Sequence, residues 1–355
     1  MKRLKSQTVS FEETIDGSVT GSLRAGCVKV NITPDKPQWL MGYDPRLSKG
    51  VHDNLYHRIV AIDDGKTQFF LVSTDLCVIS PSFYNGVCKE LKKKTGIKPK
   101  QVWWTVTHTH SAPEVGSQCL VKLFLPNRYT PEPNPEYSKW VKQTLIEGIM
   151  EAQSKLEPAR LGVGIVTSIA NINRREMTSD GLCQLGANPD GPVDRQIGVV
   201  RIERLNGSPL ALIANYAIHG TMLGGLNCQI SADVPGIVAG YVEKKLGTTM
   251  LFINGAEGNV APLYSCYPDF ESSHIEEFNT LLGDKIIEAY SSIRSMSSDL
   301  RLWIGKTIIE TPRKSNLGWV SDLRNYSRTA NDGTKLVRIP VYFIKINNDT
   351  VFWGA

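Results

Sequence analysis

The chain has 355 residues, 41% of them hydrophobic and 21% charged, the balance of a globular protein that buries a sizeable core. Its net charge of +5 comes from short scattered clusters such as Lys92-Lys93-Lys94 and Arg174-Arg175. A nucleic-acid partner is excluded, because it would need one concentrated basic face. No run of 18 apolar residues occurs, so no helix is expected to span a membrane.

Residues 1–23 are polar and aperiodic and predict a loose tail. Met1-Lys2-Arg3-Leu4-Lys5 has the charge of a signal-peptide start, but Ser6–Glu13 lacks the apolar run that would follow. The expectation is therefore a cytoplasmic protein. A different start would make it secreted, and only then would Asn325-Tyr326-Ser327 and Asn348-Asp349-Thr350 matter as glycosylation sequons. Strands rich in branched and aromatic residues are predicted at Gly26–Ile32, Tyr56–Asp63, Thr67–Thr74, Val102–His108, Arg160–Ile169, Ile197–Arg204 and Leu210–Ile218. Further strands are predicted at Met250–Ile253, Arg301–Glu310, Ile339–Ile346 and Thr350–Trp353. The 3.6 period predicts helices at Glu136–Leu156, Pro235–Leu246 and Ile275–Ile293. Pro126–Pro135 and Gly181–Gly191 read as long loops. With no linker and no repeat, residues 24–355 form one α/β domain of mixed sheets packed with helices. Seven cysteines without a CxxC pair predict mostly reduced thiols.

Chemistry concentrates on the histidines. His108 and His110 lie in Thr107-His108-Thr109-His110-Ser111-Ala112-Pro113, at the exit of a strand. Residues two apart in extended chain face the same way, which predicts that the two rings converge. Imidazole is the commonest nitrogen ligand for zinc. Metallo-β-lactamase-like hydrolases continue HxHxDH, and Ala112 and Pro113 exclude that reading. Amidohydrolase barrels carry the pair on their first strand, whereas here several strands precede it. A third histidine, His219, ends the apolar strand from Leu210, and two histidine-bearing strand exits together point to a metal. Asn254-Gly255-Ala256-Glu257-Gly258-Asn259-Val260-Ala261-Pro262 is a Gly-rich loop after a strand, whose N–H groups could face an anion or oxyanion. Nucleotide motifs fail: Gly65-Lys66-Thr67 has Val60 where a P-loop needs glycine, and Gly162-Val163-Gly164 leads to Thr167 instead of a third glycine.

From Ala25 onward the chain resembles the N-terminal catalytic domain of neutral/alkaline non-lysosomal ceramidases. The blocks that carry the resemblance are Ala25–Pro34, Met41-Gly42-Tyr43, Val51–Arg58, Thr107–Pro113, Asn171-Ile172-Asn173-Arg174-Arg175 and Gly191-Pro192-Val193-Asp194. Residues 215–221, 230–236 and 254–262 complete the series in the family's order. The resemblance implies a zinc-dependent hydrolase of an N-acyl (amide) bond, acting on a ceramide-like lipid or a smaller acylated amine. It implies that His108 and His219 bind the metal, and that His110 sits behind them or touches the reacting carbonyl. Arg174 would stabilise developing negative charge, and Gly42, Asn259 and Ala261 would border the substrate. The family has a serine where this chain has Ala261, which can neither attack nor donate a side-chain hydrogen bond. That departure favours zinc-activated water as the nucleophile and weighs against ceramide itself. In the family a strand like Thr350–Ala355 leads to a Pro-Gly-Glu turn whose glutamate binds zinc, followed by a tyrosine. The sequence stops at Ala355, leaving two histidines where catalytic zinc usually has three protein ligands. The resemblance thus implies an incomplete catalytic domain or a relative that keeps the fold without catalysis.

Overall fold

The computed structural model describes residues 11–15, 20–124, 131–266, 271–314, 319–348 and 350–354. Eight strands build the central sheet: β1 (Arg24–Asn31), β2 (Tyr56–Asp63), β3 (Gln68–Thr74), β4 (Val102–Val106), β5 (Glu157–Thr167), β6 (Gln196–Arg204), β7 (Pro209–Tyr216) and β8 (Thr249–Asn254). Their order is β8-β7-β6-β5-β1-β2-β3-β4. The middle pairs are antiparallel, but the pairs at the two ends, β7 with β8 and β3 with β4, are parallel. A parallel pair needs a crossover. Helix α1 (Pro81–Thr95) lies in the link from β3 to β4, and helix α3 (Asp233–Leu246) in the link from β7 to β8. Helix α2 (Pro135–Ser154) joins β4 to β5, and α4 (Lys285–Ser292) follows β8.

Alternation along β2 shows why the centre of this sheet is apolar throughout. Ile59 and Ala61 point to one face and pack with Leu145, Ile149 and Ala152 of α2, together with Val87 and Leu91 of α1. Val60 and Ile62 point to the other and meet Ile304 and Ile344 of a second sheet. That sheet is built on Leu302–Pro312 and Lys335–Ile346, which pair antiparallel. Burying each such branched side chain is worth about 1.5–3 kcal/mol, so the layers lock the central sheet from both sides. Helix α1 starts at Ser80, whose hydroxyl accepts from Phe83 N, and stops at the left-handed Gly96. Helix α2 starts at Asn134, whose side chain accepts from Glu136 N and Tyr137 N.

The fold is the mixed α/β single domain that the sequence predicts, with four corrections. Part of the expected tail is ordered: Phe11–Ile15 pairs with Leu302–Pro312, and Gly21–Ser22 pairs with Asp299–Leu300, because those strands offer free edges. The expected loop Gly181–Gly191 contains the strand Cys183–Asn188, paired with Asn171–Met177 in a small separate sheet. The helix expected over Ile275–Ile293 divides into a 3₁₀ turn Ser272–Glu277, a π-helical turn Asn279–Asp284 and α4. Phe278, Leu282, Ile286 and Tyr290 nonetheless share one core, so the apolar period survives while the hydrogen-bonding class changes. Helix α1 was not expected at all, since its Lys92-Lys93-Lys94 end masks a narrow apolar stripe of Val87, Cys88 and Leu91. Of the loop expected at Pro126–Pro135, residues 126–130 lie outside the described residues, and 131–134 lead without regular structure into α2.

The two edges of the sheet come together. Ser73 of β3 donates to the Phe252 carbonyl of β8 at 2.5 Å. Asn254 Nδ2 donates to Thr107 O and Ile218 O, at 3.1 and 2.8 Å. Thr109 forms an isolated parallel bridge with Gly220. The sheet therefore curls until the exits of β4, β7 and β8 open at one place, the position where parallel strands present ligands.

Candidate metal centre

His108, His110 and His219 meet where these exits converge. The two-residue period of an extended strand does not bring the first two together, because β4 ends at Val106 and His108 has φ +61°. A left-handed turn at His108 folds the rings toward each other, with centroids 5.0 Å apart. His110 N donates to Gly220 O at 2.8 Å, tying this turn to the β7 exit. Gly220 is required for that approach: a Cβ there would lie 2.6 Å from Thr109 Cα.

Backbone carbonyls set the tautomers. His108 Nδ1 lies 2.7 Å from Cys77 O, and His219 Nδ1 lies 2.9 Å from Glu257 O. A carbonyl only accepts, so each Nδ1 donates and each neutral ring keeps its lone pair on Nε2. His108 Nε2 then faces His219 Nε2 at 3.1 Å and His110 Nε2 at 3.3 Å. Lone pairs directed at one another repel unless a cation or proton lies among them. For ligand bonds of about 2.0–2.1 Å, a tetrahedral site has nitrogen–nitrogen edges of about 3.3–3.4 Å, so the spacing fits zinc. Burial, then the His108 charge, then Arg174 push His219 down to about 3. Burial and the same neighbouring rings hold His110 well below the usual imidazole range. Neutral imidazole is the ligating form, and both rings keep it at neutral pH.

Further donors stand close by. A Glu257 carboxylate oxygen forms a group with His108 and His219 whose ligand atoms all lie within 4.8 Å, and Cys77 Sγ forms another with His108 and His110. Sequence reasoning overlooked both residues. Glu257 stood in plain view in the Gly-rich loop, which was read only for its N–H groups. Cys77 offered no signal beyond its place just after β3.

The remaining predicted residues divide into those at the cluster and those behind it. Gly42 has φ +102° and packs flat on His110: a Cβ there would lie 2.5 Å from the ring's Nδ1. Tyr43 meets His110 edge-on at 5.1 Å, and its hydroxyl donates to Thr221 O at 3.4 Å. Arg174 is tied to the Glu257 loop, its N donating to Asn259 O at 2.9 Å and its Nη2 to Gly258 O at 3.0 Å. Asn259 thus meets Arg174 through its backbone. Ala261 is buried in Val260–Pro262, paired with Ile172. Neither Asn259, Ala261 nor Arg174 lines the neighbouring cavity.

That cavity, of about 750 Å³, opens beside His108 and His110, with Trp39, Leu40, Met41, Leu47 and Val78 among its walls. Its size and apolar lining suit a small molecule or an alkyl chain. Glu114 also lines it, and burial, reinforced by Glu132, raises that carboxyl to about 7.

A family model described as "Neutral/alkaline non-lysosomal ceramidase, N-terminal" matches residues 24–266, a span that contains all three histidines, Arg174 and Glu257. This chain belongs to that family. Neutral ceramidase A of Dictyostelium discoideum is 28% identical over 255 residues, 66% of this chain and 34% of that protein. The neutral ceramidase of Pseudomonas aeruginosa is 26% identical over 262 residues, 69% of this chain and 38% of that protein. The chain spans about a third of the length of the curated relatives it matches. A crystal structure of neutral ceramidase from Pseudomonas aeruginosa superposes with a TM-score of 0.69 at 19% identity, over 92% of this chain and 61% of that one. A structure titled "Ceramidase complexed with C2" gives the same score at 18% identity. The likeness shows that the family's fold is shared.

Proposed function

We propose that this chain is a zinc-dependent hydrolase of N-acyl amides, with a ceramide-like lipid or a smaller acylated amine as substrate. The reading rests on one observation above all: three imidazole Nε2 atoms converge at 3.1 and 3.3 Å while backbone carbonyls hold the opposite nitrogens of two of them. His108 and His219 would hold the metal, with His110 and the Glu257 carboxylate beside them. The chemistry zinc supplies in such a site is polarisation of an acyl carbonyl and a lowered pKa for water.

The chain's own residues do the rest. The apolar wall from Trp39 to Leu47 takes the acyl chain and excludes water from it. Gly42 lets the backbone pack directly on His110 and so fixes the ring beside the cavity, since any side chain there would meet the ring. Arg174 is tied to the Gly258 carbonyl and does not line the cavity, but its charge reaches His219 and Tyr43, so it would favour negative charge that develops on an amide oxygen held beside those rings. A preorganised donor of this kind is worth about 3–4 kcal/mol. Glu114, with a carboxyl raised to about 7, is able to hold a proton in the cavity at neutral pH.

A second reading, a relative that keeps the fold without turnover, draws on Ala261, a buried alanine where the family resemblance expects serine. One experiment separates the two. The purified chain is stripped with chelator, reloaded with zinc, and assayed for release of fatty acid from a fluorescent N-acyl-sphingosine. Zinc-restored hydrolysis that disappears in His219→Ala supports the first reading. Stoichiometric zinc without hydrolysis of this or shorter N-acyl amines supports the second, and no zinc binding defeats the metal reading altogether.

A further inference from the structure

Arg46 has no part in the reading above, yet it is buried beside the centre, only 7% exposed. Trp39–Leu40 and Arg46–Leu47 form a short antiparallel hairpin, in which Trp39 faces Leu47 and Leu40 faces Arg46. Leu47 lines the cavity, so Arg46, its strand neighbour, turns to the opposite side. There its two terminal nitrogens reach four backbone carbonyls. Nη2 donates to Met41 O at 3.0 Å and His110 O at 2.6 Å, and Nη1 to Asn227 O at 2.7 Å and Gly224 O at 3.3 Å. Met41 belongs to the hairpin, His110 to the centre, and Gly224 and Asn227 to the loop that follows His219. Arg58, also buried, pairs with the carboxylates of Asp75 and Glu243. Arg46 instead directs its charge to carbonyls of three segments at once, which a planar, forked donor allows and a point charge does not.

We infer that Arg46 is a positioning residue: it seats the hairpin that carries the cavity wall on the histidine centre, so that a long acyl chain and its amide are held in one frame. The inference rests on the hydrolase reading and adds to it the residue that couples recognition of the chain to placement of the reacting bond. Arg46 lies outside the cavity lining and acts through the His110 carbonyl and through Trp39, Met41 and Leu47 of the hairpin. An error of about 1 Å in such a frame costs about 10²-fold in rate. A short acyl group does not reach along the wall, so its turnover depends less on the seat.

An N-palmitoyl and an N-acetyl amide of one fluorescent amine test this on zinc-loaded protein. In Arg46→Met, kcat/KM should fall about 100-fold for the palmitoyl amide, mostly through kcat, and less than about tenfold for the acetyl amide. The ratio of the two does not depend on the fraction folded, so a variant that folds poorly still reports. Arg46→Lys keeps the charge without the fork and should shift the ratio in the same direction. Hydrogen exchange of metal-free protein, followed by mass spectrometry, needs no turnover. Amides of 38–48 and 220–228 should exchange at least about tenfold faster in Arg46→Met, while those of β2 keep wild-type rates. Unchanged exchange in both segments, an equal loss on both amides, or a wild-type ratio in Arg46→Lys would each overturn the positioning role. A wild-type protein that hydrolyses neither amide would overturn the hydrolase reading and the kinetic half of this inference, and exchange would then decide the clamp alone.

Discussion

Gly42→Ala separates backbone strain from crowding at the centre. Gly42 has φ +102°, and its built Cβ lies 2.5 Å from His110 Nδ1 and 2.6 Å from His110 Cβ. Gly65 is the control, with φ +86° and nothing within 4 Å of its built Cβ. A left-handed alanine costs about 1–2 kcal/mol, which is the whole expectation for Gly65→Ala. Gly42→Ala adds an overpacking cost of about 1–3 kcal/mol, giving a total of about 2–5 kcal/mol. His110 cannot yield easily, because its backbone N is tied to Gly220 and its Nδ1 is already buried. Urea denaturation of the metal-free proteins measures the difference, and zinc calorimetry of Gly42→Ala should show affinity lowered by at least about tenfold. If Gly42→Ala costs no more than Gly65→Ala and binds zinc like wild type, then Gly42 does not hold His110 in place.

Other perturbations reach different parts of the structure. His219→Ala removes an Nε2 from the cluster, so zinc affinity measured by calorimetry should fall by more than the about 10–100-fold typical of losing an outer partner. Arg174→Gln should lower kcat on an N-acyl amide by about 10²–10³ while leaving zinc stoichiometry at its wild-type value. Asp233, buried at φ +53°, accepts from Met222 N, Leu223 N and Val234 N at 2.9, 3.0 and 2.7 Å. Asp233→Ala should cost about 2–4 kcal/mol in thermal unfolding, since it strands donors just after His219. His57 is fully buried, with Nε2 donating to Val141 O and Nδ1 accepting from Thr74, and burial lowers it from 6.5 to about 4. Its folded pKa is depressed, so its contribution is complete above pH 6.5 and lost as pH falls toward 4, about 3 kcal/mol in all. His57→Gln should flatten the urea-stability slope in that window, and equal slopes would remove His57 as the cause.

What the sequence revealed depended on how local each signal was. Strands such as Tyr56–Asp63 were legible to the residue because branched side chains fill both of their faces. The pairing of His108 with His219 was legible because each follows an apolar run, although His108 sits in a left-handed turn and not in extended chain. A positive φ on histidine leaves no trace in sequence, and the turn comes from pairing with Gly220, 111 positions after Thr109. The approach of Cys77 and of the visible Glu257 to the histidines was hidden for the same reason. Their places follow from a ladder offset and from the curl of the sheet, neither of which any short motif encodes. The split of the Ile275–Ile293 helix is likewise tertiary: a Cβ at Gly283 would lie 2.7 Å from Tyr241, so that turn is fitted tightly against α3.

The location of the centre explains why so many of its supports are backbone groups. Its histidines come from β4, an edge strand, and from β7, which lies beside β8 at the far end of the sheet order. Only closure of the sheet brings these exits together, and Asn254, Gly220 and Ser73 are what close it. An ion bound by His108 and His219 therefore joins two ends of one sheet, and its binding energy adds to the stability of the whole domain. The dependence also runs in the opposite direction. Substitutions at Asn254 or Gly220, which offer no side chain to a metal in this arrangement, should weaken the site by letting the edges part.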